Sequence, residues 1–231
     1  MKRSEINQII RNGIGFLEQY RLRLPPFAFW SPADWTRKGP ECAAIVRHGL
    51  GWDITDFGSG DFAKMGLFLF TVRNGAAADI GKPGTKTYAE KVMIVQEGQV
   101  TPTHFHFHKM EDIINRGGGE LVIQLWKSTA DQKLSQEDAV VSVDGVARRV
   151  TAGGEVVLKP GESICLEQGI YHKFWGGKGK GTVLVGEVSM VNDDDKDNRF
   201  LEPVGRFPAI DEDEVPLHLL CKDYARYYRN V

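Results

Sequence analysis

Long apolar runs are missing from this 231-residue chain. The most apolar stretches, such as residues 65–72, fall far short of the roughly 20 residues that span a bilayer. The N-terminal MKRSEINQII holds no apolar run of signal-peptide length, so no export signal is expected. Cysteine is scarce: Cys42, Cys165 and Cys221 are scattered, odd in number and without CxxC spacing. That argues against a disulfide framework and for a reduced, cytoplasmic protein. An excess of either charge is also missing. With 29 Lys+Arg against 31 Asp+Glu the net charge is −2, which gives the chain as a whole no reason to bind nucleic acid or an anionic membrane. No internal repeat and no linker-like stretch divides it. Glycine is plentiful at 26 residues and clusters after residue 48, as a fold with many turns requires.

The first quarter reads as helix. Ser4 is placed to cap a segment with apolar residues at Ile6, Ile9, Ile10, Ile14 and Leu17, and Leu24-Pro25-Pro26 ends it. Ser31-Pro32 opens a second, short helix as cap and first residue, and the aromatics Phe27, Phe29, Trp30 and Trp35 are expected to pack this arm onto the rest. From residue 50 the pattern changes to strands, expected at 52–57, 66–73, 89–96, 113–126, 140–143, 146–150, 155–159, 163–167, 171–175 and 182–190. Asp144-Gly145 between two of them signals a tight hairpin. Many short strands at near-even spacing predict an antiparallel sandwich or barrel. Residues 192–198, NDDDKDN, read as a solvated acidic loop, and 222–230 as a final short helix. One domain is expected over 1–231: a helical arm (1–48), a β-barrel (50–192) and a C-terminal loop with a short helix (193–231).

The chemistry concentrates in residues 98–118, GQVTPTHFHFHKMEDIINRGG. His104, His106 and His108 alternate, which on a strand puts them on one face, and Glu111 follows just beyond. Imidazole nitrogens with a carboxylate oxygen are a standard set for a divalent transition metal. Three of the six histidines within five positions make chance a poor explanation. His48 and His218 belong to neither motif described next and read as structural.

The spacing Gly98-x5-His104-x-His106-x4-Glu111-x6-Gly118 resembles the first signature of the cupin family. Gly161, Gly169 and His172 follow the frame of its second signature, with Glu167 in place of the usual Pro and Gly176 in place of the usual Asn. The resemblance implies a cupin jelly-roll barrel in which His104, His106, Glu111 and His172 ligate one metal, leaving His108 to a substrate role beyond it. It extends further. PPFAFWSPADW, AEKVMIVQEGQVTPTHFHFHKMEDIINRGGGELVIQLW, IYHKFWGG and GEVSMVNDDDKDNRF are similar to the D-lyxose isomerase family over nearly the whole chain. That implies interconversion of D-lyxose with D-xylulose and of D-mannose with D-fructose, a divalent metal (Mn²⁺, with Zn²⁺ or Co²⁺ as options), a small-molecule sugar as the partner, and a homodimer.

Such chemistry moves one hydrogen between C1 and C2 of the sugar. A metal chelating O1 and O2 stabilises the enediolate, and a base carries the proton; a hydride shift is the other route. Lys91 lies on the strand that feeds the first motif, where alternation alone leaves its face undecided; the family's matching strand carries a Lys, which places Lys91 in the pocket. Glu187 stands among apolar and small residues, where a buried carboxylate is costly without a partner, so a catalytic role is favoured over a surface one. Arg116 is a candidate for a substrate hydroxyl or for pairing Glu187. Asp195, Arg206 and Asp211 are weaker substrate-binding candidates near the barrel mouth. The competing functions are another metal cupin, such as a dioxygenase, and a non-catalytic sugar-binding cupin.

Overall fold

The computed structural model describes residues 1–193 and 196–229. It is mainly β and antiparallel throughout its named strands. In chain order these are β1 (Gly51–Thr55), β2 (Leu67–Arg73), β3 (Tyr88–Val95), β4 (Thr101–His106), β5 (Glu111–Gly118), β6 (Leu121–Lys127), β7 (Ala139–Val143), β8 (Val146–Val150), β9 (Glu155–Leu158), β10 (Ser163–Leu166), β11 (Ile170–Gly176), β12 (Val183–Met190) and β13 (Asn198–Phe200). They form an eight-stranded sheet, β1-β2-β3-β12-β5-β10-β7-β8, and a five-stranded sheet, β13-β4-β11-β6-β9. The expected run 113–126 is two strands, because the chain passes from one sheet to the other at Gly119-Glu120. Residue 192 is not the last to join the barrel: β13 pairs with β4. Asp144 and Gly145 take φ of 51° and 81°, the positive pair a tight hairpin needs. Gly176 has a different reason. A Cβ there would lie 2.6 Å from the Gln96 carbonyl oxygen, so the chain crossing at 96–97 excludes the Asn of the usual motif.

Leu67, Leu69, Met93, Val95, Val183 and Val185 of the large sheet meet Leu121, Ile123 and Leu125 of the small one in the barrel interior. The opposite face of the large sheet is not wet at β1–β3. Helix α1 (Arg3–Gln19) lays Ile6, Ile10 and Leu17 on Trp52, Phe68, Phe70, Val92 and Ile94. Fully burying each such side chain contributes about 1.5–3 kcal/mol. Helix α2 (Pro32–Trp35) starts with a capping box between Ser31 and Asp34, and Trp35 is buried against Cys42, Leu219, Tyr224 and Tyr228. Helix α3 spans Ala43–Arg47. The C-terminal helix α4 is a single turn, Tyr224–Tyr227; residue 230 of the expected helix lies outside the described residues. Cys42, Cys165 and Cys221 form no disulfide. No helix among the described residues is long and apolar enough to cross a membrane.

The start of α1 departs from expectation. Its N-cap is Lys2, which makes no side-chain cap, and Ser4 lies inside the helix. The first-turn N–H groups are satisfied from far along the chain: Ser4 N–H donates to Asp213 Oδ1 (2.9 Å) and Arg3 N–H to the Asp211 carbonyl (2.8 Å). Arg3 is fully buried, with two 2.9 Å bonds to Asp223 and further bonds to Glu212. Burial alone would lower its pKa; the two carboxylates outweigh that and raise it. Arg3→Met is therefore expected to cost about 3–5 kcal/mol, since Asp223 would stay buried without its cation. For a chain this size that is a fall of about 6–20 °C in Tm. Thermal denaturation followed by circular dichroism checks it, and an unchanged Tm would show that the termini are docked by other contacts.

Candidate active site

Two sheets contribute to one pocket. In the small sheet, β4 runs antiparallel to β11 with His104 directly opposite His172. Alternation sets His106 beside them, and the three rings lie with centroids 4.2–5.6 Å apart. All three are buried and form a group able to hold a metal ion, their donor atoms within 4.8 Å of one another. Glu111, the first residue of β5 in the large sheet, faces them. Its Oε1 is 3.1 Å from His172 Nε2 and 3.4 Å from His106 Nε2. Neither nitrogen has a hydrogen-bond partner, so these atoms converge without donating to one another. Adjacent donors held at about 2.1 Å by one ion stand about 3 Å apart, the spacing seen here.

The protonation states suit ligation. The Nδ1 atoms of His104 and His172 lie 2.8 and 3.0 Å from the carbonyls of Pro102 and Ile170. A carbonyl only accepts, so each Nδ1 carries the hydrogen and each Nε2 keeps its lone pair. Burial, then the neighbouring imidazoles, push His104 well below its ordinary value; burial and the Lys109 ammonium push His106 down. Both are neutral at neutral pH. Burial would raise Glu111, but Lys109 and the histidines hold it well below the usual carboxylate range. These two imidazoles, with His172 and the Glu111 carboxylate, offer a donor set that fits a divalent transition metal.

Beside this set lies a second buried cluster. β12 pairs with β3 so that Glu187 stands opposite Lys91, both on the interior face and both under 5% exposed. Glu187 Oε1 accepts from Lys109 Nζ at 2.9 Å and is ion-paired with Lys91 Nζ at 3.2 Å. Lys109 Nζ also reaches Glu111 Oε2 at 2.7 Å, linking the two clusters. Burial would raise the Glu187 pKa; Lys109 and Lys91 overcome it and hold the group below its ordinary value, ionised. Burial would lower Lys109, yet Glu111 and Glu187 raise it. Both clusters line a pocket of about 450 Å³ whose other walls include Phe57, Phe174, Phe200 and Arg206.

Lys109 is the residue that the sequence reading missed, and His108 stands in its place there. Strand β4 ends at His106, so the alternation does not extend to 108. In the turn that follows, His108 is exposed and the buried Lys109 points inward. A Lys between two ligands, in the connection between the sheets, was the available signal. Arg116 is exposed on the outer face of β5, because Glu111 and Ile113 take the interior positions; Glu187 pairs with Lys91 and Lys109 and not with it. Arg206 lines the pocket and pairs with Asp53, with the Phe57 and Phe207 rings nearby. Asp211 lies elsewhere: its backbone pairs with Met1 and Arg3 and its side chain is exposed. Asp195 lies outside the described residues. His218 sits far from the metal group, stacked on Trp52 with Nδ1 3.2 Å from the Trp30 carbonyl, and His48 is half-buried near Asn74.

Comparison with known proteins identifies the family. A family model described as D-lyxose isomerase matches residues 1–224. The D-lyxose/D-mannose isomerase of Escherichia coli O157:H7 is 50% identical over 228 residues, covering 98% of this chain and 100% of that one. Its counterpart in Serratia proteamaculans is also 50% identical over 228 residues, covering 98% and 99%. Among solved structures, the L-ribose isomerase of Cellulomonas parahominis superposes with a TM-score of 0.61 at 15% identity, covering 91% of this chain and 98% of that one. At that identity the likeness is one of fold alone. Half the residues are shared with the curated relatives over almost the full length, and the family match spans arm and barrel alike, so this chain belongs to the D-lyxose isomerase family.

Proposed function

We propose that the protein is a metal-dependent aldose–ketose isomerase that interconverts D-lyxose with D-xylulose and D-mannose with D-fructose. The observation that carries this reading is the placement of three buried histidines able to hold a metal ion, faced by Glu111, beside a buried, ionised carboxylate flanked by two ammonium groups, in one pocket. Sharing 50% of its residues with two D-lyxose/D-mannose isomerases supports the choice of sugars.

His104, His106, Glu111 and His172 would hold the metal, with Mn²⁺ ahead of Zn²⁺ and Co²⁺. When bound, the ion supplies Lewis-acid polarisation of the sugar carbonyl. The remaining work falls to side chains. Glu187 is the base: as an ionised carboxylate it can take the proton from C2 of the aldose. The C–H electron pair becomes the C1–C2 double bond while the carbonyl pair moves onto O1, which takes a proton from Lys109. O2 then gives up its proton to the resulting amine, the C2–O2 double bond forms, and Glu187 returns its proton to C1. Lys91 donates to a sugar oxygen and holds Glu187 in place. Arg206, at the pocket wall, meets the distal hydroxyls. Protein stripped of metal and reloaded with Mn²⁺ is expected to form ketose from both D-lyxose and D-mannose. No ketose with Mn²⁺, Co²⁺ or Zn²⁺ would overturn the reading.

We also infer a cytoplasmic homodimer. Phe27, Trp30 and Trp35 of the arm are spent on the chain's own core, whereas Phe29, expected to pack with them, is exposed. Tyr88, Val188 and Met190, by contrast, lie exposed together on the outer face of β3 and β12, beyond the reach of α1. Sedimentation velocity at micromolar concentration is expected to give the mass of two chains; a monomer would count against it.

A further inference from the structure

The polar stretch after β12 reads in sequence as a solvated connection, yet Asp197 is only 5% exposed. Its two carboxylate oxygens accept the backbone N–H groups of His108 (2.7 Å) and Lys109 (3.1 Å), and its carbonyl accepts that of Phe107 (3.1 Å). Three successive N–H groups of the turn between β4 and β5 therefore end on one residue. This turn puts Lys109 between Glu111 and Glu187. Asn192, two residues past β12, reaches the same place from the other side. Its backbone is clamped by Asn74 (2.9 and 3.0 Å), and its Oδ1 accepts from Lys91 Nζ at 2.7 Å and Lys109 Nζ at 3.4 Å.

We propose that Asp197 is a positioning residue of the active site, which fixes the 107–109 turn and through it the place of the Lys109 ammonium between Glu111 and Glu187. A charged acceptor for consecutive N–H groups is a strong local restraint. In a surface turn it would only tidy a loop. Here the turn joins the two sheets and carries a group that must stand within hydrogen-bonding reach of two carboxylates. A misplacement of about 1 Å at such a group costs about 10²-fold in rate. The activity half of this inference rests on the isomerase reading; the geometric half does not.

The test uses Asp197→Ala, Lys109→Met and the double variant, all as Mn²⁺-loaded protein. Asp197→Ala is expected to lower kcat on D-mannose about 10²-fold, with KM changed far less and metal content kept. The double variant is expected to be no slower than Lys109→Met alone, because Asp197 acts through Lys109. Asp197→Asn keeps one acceptor oxygen and is expected to recover part of the loss; it also replaces Asp197→Ala if that variant does not fold. In the crystal structure of the variant, Lys109 Nζ is expected to have left Glu111 and Glu187. The proposal is overturned if Lys109 keeps both contacts there, or if the losses in the double variant multiply. If the unsubstituted protein forms no ketose, the isomerase reading fails and the crystal structure alone decides this one.

Discussion

Glu187→Gln is expected to lower turnover of D-mannose and D-lyxose by about 10²–10⁴-fold, the usual cost of losing a positioned base. Metal content is expected to stay unchanged, because none of the four donors is touched. The amide is the same size as the carboxylate, so the pocket keeps its shape while the group that takes the proton is gone. A surface glutamate would cost almost nothing, and Glu187 is buried between Lys91 and Lys109. The pH profile gives a second check. These cations hold the Glu187 pKa below its ordinary 4.5, so the carboxylate is ionised throughout the neutral range and protonates only as the pH falls through that lowered value. Turnover is thus expected to have an acid limb that disappears in Glu187→Gln. Lys91→Ala is expected to fall in the same range with metal bound. In D₂O, deuterium at C1 or C2 of the product supports a protein base. None at either carbon, with turnover still lost in the variants, would point to a hydride shift or a shielded base and leave Lys91 and Glu187 as substrate-positioning groups. If both variants keep near-full turnover, the assignment fails.

His106→Ala, Glu111→Ala and His172→Ala are each expected to empty the metal site and take activity to background. Loss of an outer partner of a metal ligand already costs about 10–100-fold in affinity or activity, and loss of a direct donor costs more. Each variant also leaves its neighbours without the group they converge on: His106 Nε2 and His172 Nε2 have no hydrogen-bond partner of their own. His48→Ala and His218→Ala are the controls. Neither lines the pocket, and both are expected to keep the full metal content. Elemental analysis of each purified variant reads the result directly. If His218→Ala empties the site and His172→Ala does not, the fourth ligand has been misassigned.

The barrel was legible in the sequence because β-branched runs punctuated by glycine turns can bury themselves in few ways. The His104–His106–Glu111 spacing was legible because it depends on neighbours along one strand and the turn after it. His172 came from the spacing of a second motif, and its position opposite His104 required the β4–β11 pairing. What failed were extrapolations past the end of an element. The alternation that points to His108 ends in the chain at His106, and the capping role that the sequence suggests for Ser4 falls to Asp213, more than 200 residues away. Arg116 was judged by proximity to the motif, whereas its face of β5 points outward.

The sequence by itself thus determined most of the strands and turns, the spacing of the candidate ligands and the family, while β4 and β13 lay outside the expected strand ranges. The residue pattern left open which face of β3 holds the pocket; the family resemblance favoured the Lys91 face, and the tertiary structure supplies the physical reason. Alternation locates a pocket when one face of a strand is wet and the other dry. β3 is dry on both: Met93 and Val95 pack into the barrel, and Val92 and Ile94 pack under α1. With two apolar faces, Lys91 carries no sign of its direction. It is settled by the partners brought from elsewhere in the chain, Glu187 from β12 and Lys109 from the turn between the sheets. A buried charge is stable only where opposite charge meets it, and only the packed fold brings these together.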